Sequence, residues 1–128
     1  MSNVINIKPF VVWSVNEDEE YKLALSTSSI CDLEDKLCKG NSMLGLIGSQ
    51  ETGMPSLKTM LTVTHAAMQR FNHGVKLSDV YSAFDRYIEA GGSQVDFYAD
   101  IYVGIFEASG FFQREQSAEL AERREALK

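Results

Sequence analysis

Basic residues are in short supply: 12 Lys and Arg stand against 18 Asp and Glu, leaving a formal charge of −6 over 128 residues. Nucleic-acid backbones are held by clustered Lys and Arg, so this deficit argues against a nucleic-acid partner. Long apolar runs are also missing. No stretch of about 18 apolar residues exists to span a bilayer. Met1 to Phe10 holds no apolar segment of a secretion signal, so the chain is expected to stay in the cytoplasm, away from membranes. Cysteine is limited to Cys31 and Cys38. Seven residues apart on a helix, they are separated by about 10 Å, too far for a disulfide. They read as reduced thiols serving as small hydrophobes. The two histidines, His65 and His73, fit no zinc spacing.

Catalytic patterns are equally scarce. Gly40 to Gly53 contains no Gly-Lys-Ser/Thr, and Gly91-Gly92 lacks the third glycine of a dinucleotide loop. No Gly-x-Ser-x-Gly elbow occurs. A cysteine nucleophile with His65 as base is conceivable chemistry, but His65 sits at the edge of an apolar stripe and reads as structural. Asp96 and Asp100, and the group Asp32, Glu34 and Asp35, lack the histidine that carboxylate metal helices add at i+3. No enzyme, cofactor or metal site is expected.

What the chain does contain is secondary-structure information. Phe10–Val15 and Tyr21–Ser26 read as strands, the second with the period-two alternation of a half-buried strand. The acidic stretch Asn16–Glu20 between them reads as a solvated hairpin tip. Val11, Trp13 and Val15 share one strand face and are expected to meet the helices. A helix over Ser28–Cys38 carries Ile30, Leu33 and Leu37, is capped by Thr27–Ser29, and stops with Gly40 at the left-handed C′ position. Met43–Ile47 reads as one or two helical turns.

Three amphipathic patterns follow. The first comprises Leu57, Met60, Leu61, Thr64 and Met68, with Pro55 at N1. The second comprises Val80, Phe84, Tyr87 and Ile88, capped by Ser78. The third comprises Tyr98, Ile101, Tyr102, Ile105 and Phe106, opened by Ser93 with Asp96 and closed by Gly110. The expected fold is therefore α+β and mainly α, an N-terminal β-hairpin packed on four to five helices. Residues 1–112 form one globular domain. Residues 113–128 form a charged appendage with four acids and four bases, frayed or helical, able to form pairs such as Glu119 with Arg123.

Aromatic residues crowd the last third of the folded part, from Tyr81 to Phe112. Two helices cannot fully bury so many rings, so they read as a generous aromatic core together with surface rings of the kind enriched in interface cores. Tyr98, Tyr102, Phe106, Phe111 and Phe112 are the protein-binding candidates, bordering an apolar groove, while Ile101, Ile105 and Ala108 face the core.

The order of these pieces resembles the tail assembly chaperones of long-tailed bacteriophages with non-contractile tails and their prophage relatives in Gram-positive bacteria. The matching features are Tyr21-Lys-Leu-Ala-Leu-Ser-Thr27, Asp32-Leu-Glu-Asp-Lys-Leu37 with its Gly40 stop, and Pro55-Ser-Leu57 opening a helix through His65-Ala-Ala-Met68. Leu77-Ser-Asp-Val80 and Ile105-Phe-Glu-Ala-Ser-Gly-Phe-Phe112 complete the set, which covers about residues 10–112. The resemblance implies a protein of early tail morphogenesis that coats the tape measure protein and keeps it soluble in the cytoplasm of the bacterial host. It also implies self-association along that partner and, through a frameshifted extension beginning near Gln113, recruitment of tail tube protein. A structural tail or head–tail connector protein is the alternative, and a small regulatory adaptor is a more distant one. Connectors are β-rich, whereas this chain holds one evident hairpin.

Overall fold

Trp13 decides how the hairpin sits. The computed structural model describes residues 9–48 and 53–111, and within them β1 (Val11–Ser14) pairs antiparallel with β2 (Glu20–Leu23). The register sets Val11 opposite Leu23, Trp13 opposite Tyr21 and Ser14 opposite Glu20. Trp13, Val15, Leu23 and Leu25 are buried and Val11 packs against the same core, as period-two alternation requires of one strand face. The strands are shorter than Phe10–Val15 and Tyr21–Ser26 because two helices claim the backbone beyond Leu23. The Ala24 N–H donates to the Ala67 carbonyl (3.3 Å) and the Leu25 N–H to Ser109 Oγ (2.9 Å).

Helix starts are set by hydroxyl caps. Ser26 Oγ accepts from the Ser29 N–H (3.2 Å) and opens α1 (Thr27–Leu37), one residue before the cap cluster expected from sequence. Lys39, at φ 53°, occupies the left-handed position after Cys38, and Gly40 follows at φ 85°. Glycine's freedom is thus used one residue later than expected. The Glu34 carboxylate accepts from the Met43 N–H (3.1 Å) and draws in a short 3-10 turn, Met43–Leu46. Ser56 caps α2 (Leu57–Met68) through the Thr59 N–H (3.1 Å), so Pro55 precedes the cap and is not N1. Lys76, the last extended residue, precedes α3 (Leu77–Glu89), and Asp79 Oδ2 accepts its N–H (2.9 Å). Ser78, expected to cap, lies in the first turn, where its carbonyl accepts from Ser82 Oγ.

Residues 94–108 run as one continuous helix, α4. It is α-helical over Gln94–Asp96, π-helical over Phe97–Tyr102 and α-helical over Val103–Ala108. Ser93 Oγ caps it through the Asp96 N–H (3.1 Å). The turn between α3 and α4 is closed by two crossed bonds, Gly92 N–H to the Tyr87 carbonyl (2.9 Å) and Gly91 N–H to the Ile88 carbonyl (3.0 Å). This is a Schellman motif, with Gly91 at φ 106° in the left-handed position. The same motif ends α4. Gly110 donates to Glu107 (3.3 Å) and Phe111 to Phe106 (3.2 Å), with the Phe106 and Phe111 rings 5.0 Å apart as the accompanying apolar contact.

The fold is α+β and mainly α, one hairpin on four helices. Its core joins both layers: Trp13 meets Phe97 edge-on at 5.1 Å, and Phe97 meets Phe84 at 5.3 Å. Trp13 Nε1 is the buried side-chain polar atom without a hydrogen-bond partner among the described residues, a cost of about 1–3 kcal/mol. The expected fold-back of Phe112 and the appendage 113–128 lie outside the described residues.

A Cβ at Gly92 would meet the Tyr87 ring at 2.4 Å, whereas one at Gly45 would meet nothing within 4 Å. Gly92→Ala is therefore expected to lower stability by about 1–3 kcal/mol through overpacking. Gly45→Ala should lie within about 0.5 kcal/mol of the parent. Urea unfolding followed by Trp13 fluorescence measures both, and equal stability of the two variants would contradict this packing.

Candidate protein-binding surface

Residue by residue, α4 is covered from Phe97 to Phe106, only Tyr98 and Asp100 being half-buried, while Gln94 and Val95 in its first turn are exposed. The π segment carries an i+5 bond, Val103 N–H to the Tyr98 carbonyl, and this wider turn distributes side chains differently from a regular α-helix. Of the row expected to face inward, Ile105 is fully buried, Ile101 almost so and Ala108 half-buried. Phe97, outside that expected row, is fully buried as well. This side of α4 packs toward β1 and α2. The row expected to face outward is also covered. The Tyr98 hydroxyl donates to the Ile47 carbonyl (2.7 Å) and the Tyr102 hydroxyl to the Leu46 carbonyl (2.8 Å), so the end of the 3-10 turn lies across them.

Tyr98, Tyr102, Phe106 and Phe111 then form a continuous line of ring contacts. Successive centroids are 6.1, 5.1 and 5.0 Å apart. The expected open groove is corrected accordingly. Tyr102 and Phe106 are fully buried core, Tyr98 and Phe111 are half-buried, and Phe112 is outside the described residues. Burial pushes both tyrosine hydroxyls up from the usual phenol range, which keeps them neutral donors. The apolar run Leu44-Gly-Leu46-Ile47 was the readable signal for this cover. Its two free backbone carbonyls were not readable.

The acidic hairpin tip is partly committed. Arg86 on α3 donates Nε–H and Nη2–H to the two oxygens of Glu19, each at 2.7 Å. The Tyr21 hydroxyl donates to Glu19 Oε2. The Arg86 guanidinium holds the Glu19 carboxyl down at about 2, the Tyr21 hydrogen bond helping and partial burial opposing. Glu17, Asp18 and Glu20 stay exposed, as a solvated tip requires. A cleft of about 300 Å³ lies alongside, lined by Tyr21, Met68, Val75, Asp79, Ser82, Ala83 and Arg86. Its acid and base already serve the Lys76 N–H and Glu19.

His65 is used structurally. Its Nε2–H donates to the Val75 carbonyl (2.7 Å), which also accepts from Gln69 Nε2 (2.8 Å), tying the α2–α3 loop to α2. Cys31 and Cys38 are free thiols. Burial, with the Glu34 charge, pushes the Cys38 thiol up, opposite to what a nucleophile needs. Among the described residues no three His, Cys, Asp or Glu converge as metal ligands, and no helix is long and apolar enough to cross a membrane.

Exposed apolar side chains lie elsewhere than expected. Tyr81 and Ile88 on α3 are 39% and 44% exposed, with Phe71, Val95, Leu44 and Met54 in the same range. Ile88, read from sequence as part of the buried face with Val80, Phe84 and Tyr87, is corrected to the surface. At about 100° per residue, Leu77, Tyr81 and Ile88 fall within about 40° of one another, beside the arc of Val80, Ala83 and Phe84 that faces the core. The helical spacing carried this second stripe. Sequence alone did not say which stripe would be covered.

The Glu19–Arg86 pair implies a defined acid response. Glu19 titrates at about 2 in the folded protein against an ordinary 4.5, so its contribution is complete above pH 4.5 and is lost as pH falls through 2. Glu19→Gln should melt below the parent near neutral pH, and the gap should close as pH falls from 4.5 to 2. A gap in melting temperature that stays constant across that window would contradict the pairing.

No curated protein and no solved structure matches this chain. Residues 12–125 match a family described as a family of unknown function, DUF6096. Among the described residues that span takes in β1 from Val12, β2 and the four helices, and the chain belongs to this family.

Proposed function

We propose that this chain is a non-enzymatic tail assembly chaperone of a phage or prophage with a long non-contractile tail. It binds the tape measure protein in the cytoplasm of the bacterial host and shields its apolar helices until tail tube protein assembles around it. The observation that carries this reading is the set of large apolar side chains left exposed beside a complete core, Tyr81, Ile88, Phe71 and Val95 among them. Tyr81 and Ile88 share one face of α3. Apolar side chains so grouped mark sites of protein contact, and their i, i+7 spacing is one that helix-in-groove contacts read. The ordered motifs from Tyr21 to Phe111 supply the family likeness, and the acidic charge favours partners with basic residues.

Coating an extended partner needs many copies, so the chain self-associates along it by repeated contacts. The charged end 113–128 lies where a frameshifted extension for tail tube recruitment would begin.

Co-expression with a tape measure protein, which this reading expects to be encoded just downstream, is the test. The tape measure protein should move from the insoluble to the soluble fraction and co-purify with several copies of this chain. A tape measure protein that stays insoluble in its presence overturns the reading. So does recovery of this chain as a fixed component of purified virions, which the connector alternative requires.

A further inference from the structure

We propose that the outward stripe of α3, formed by Leu77, Tyr81 and Ile88, docks an amphipathic helix that carries Lys or Arg along the border of its apolar row. The chaperone reading supplies the identity of that helix, and this inference adds its chemistry and its place of contact. From Leu77 to Ile88 the stripe runs about 16 Å at the helical rise, three turns, the length over which helix-in-groove contacts set their anchors. It continues the arc through which Val80, Ala83 and Phe84 enter the core, so an incoming helix would extend packing that α2 begins.

The charge of the border selects the occupant. Beyond Tyr81 the next positions around the helix are Asp85 and Glu89, both exposed, and the salt bridge found among the described residues uses neither. Arg86, the base on this half of α3, is turned to Glu19 on the hairpin. Among the described residues, then, the stripe is bordered by acid that no base pairs with. A second copy docking isologously through the same stripe would set acid against acid, in a chain whose net charge is already −6. A basic amphipathic helix meets both the apolar row and the border.

The purified full chain is titrated with three fluorescent peptides of about 18 residues, five helical turns. One is a Leu/Lys amphipathic peptide, one has Glu in place of every Lys, and one is a shuffled Leu/Lys peptide without an apolar face. The first should bind, and the other two should bind at least about tenfold more weakly. Tyr81→Ser and Ile88→Ser should each weaken the Leu/Lys peptide about tenfold. Phe71→Ser, off the stripe, should not. Asp85→Lys with Glu89→Lys should reverse the preference between the Lys and Glu peptides, a readout that a poorly folded variant cannot mimic.

Equal binding of the shuffled peptide, unchanged binding by the stripe variants, or loss of a dimer in place of peptide binding overturns the inference. Co-expression separates it from the reading it rests on. If the parent solubilises the tape measure protein and the stripe variants do so equally well, the docking site is wrong and the chaperone reading stands. If the parent fails while the peptide preferences hold, the chaperone reading is wrong and the surface stands.

Discussion

The burial of α4 between Phe97 and Phe106 is the constraint on which the rest of this structure depends. Between Phe97 and Phe106 the helix is buried at every position but Tyr98 and Asp100, which are half-buried. Other elements must therefore enclose it, and the hairpin, α2 and the 3-10 turn share that task. Phe97 is the meeting point, in edge contact with Trp13 from the hairpin and Phe84 from α3. Aromatic pairs in such edge-on contact contribute about 0.5–1.5 kcal/mol each beyond their buried area. The hairpin has only two strands and such a ribbon is marginal by itself. It persists because Trp13, Val15, Leu23 and Leu25 are inserted against α4 and its neighbours.

Polar contacts then fix what apolar packing leaves loose. The hairpin tip is held to α3 by Glu19, Arg86 and Tyr21, a forked contact in which both carboxylate oxygens are used. The 3-10 turn is held to α4 by two tyrosine hydroxyls reaching backbone carbonyls. The α2–α3 loop is held by His65 and Gln69 sharing the Val75 carbonyl. In each case a side chain satisfies a backbone or charged group outside regular secondary structure, so irregular segments are anchored without a larger core. The side chains with the most reactive chemistry, His65 and Glu19, are spent on architecture.

With most of α4 enclosed, α3 keeps two exposed apolar side chains on one face, Tyr81 and Ile88, because its apolar arc is wider than the area its neighbours cover. A small acidic domain with one such stripe suits reversible contact with helices better than a chemical step. The chaperone role proposed above would use such contact, because the partner must be released when assembly proceeds. Aromatic abundance by itself pointed to α4, where Tyr102 and Phe106 are buried. Most of those rings stabilise the core that holds α3 in place.

Local rules settled the α+β class, the hairpin, the order of helices and most of their ends. Ser93 as a cap, Gly91 and Gly110 as stops, and the inward face of Trp13 and Val15 all follow from a residue's own conformational preference or from a fixed period, which neighbours in sequence suffice to define. The departures at Ser26, Lys39, Pro55 and Lys76 are shifts of one or two residues, the distance over which a cap can move without changing the helix it opens. Tertiary structure alone decided which of two apolar stripes would be covered. Tyr102 and Phe106 are no less suited to a surface than Tyr81 and Ile88 by type or spacing. They are core because carbonyls at Leu46 and Ile47, 56 and 51 residues away, come to lie over the α4 tyrosines, and because a π turn changes the faces that α4 presents. Contacts between distant segments are set by how whole elements pack, and no periodicity within one helix encodes them.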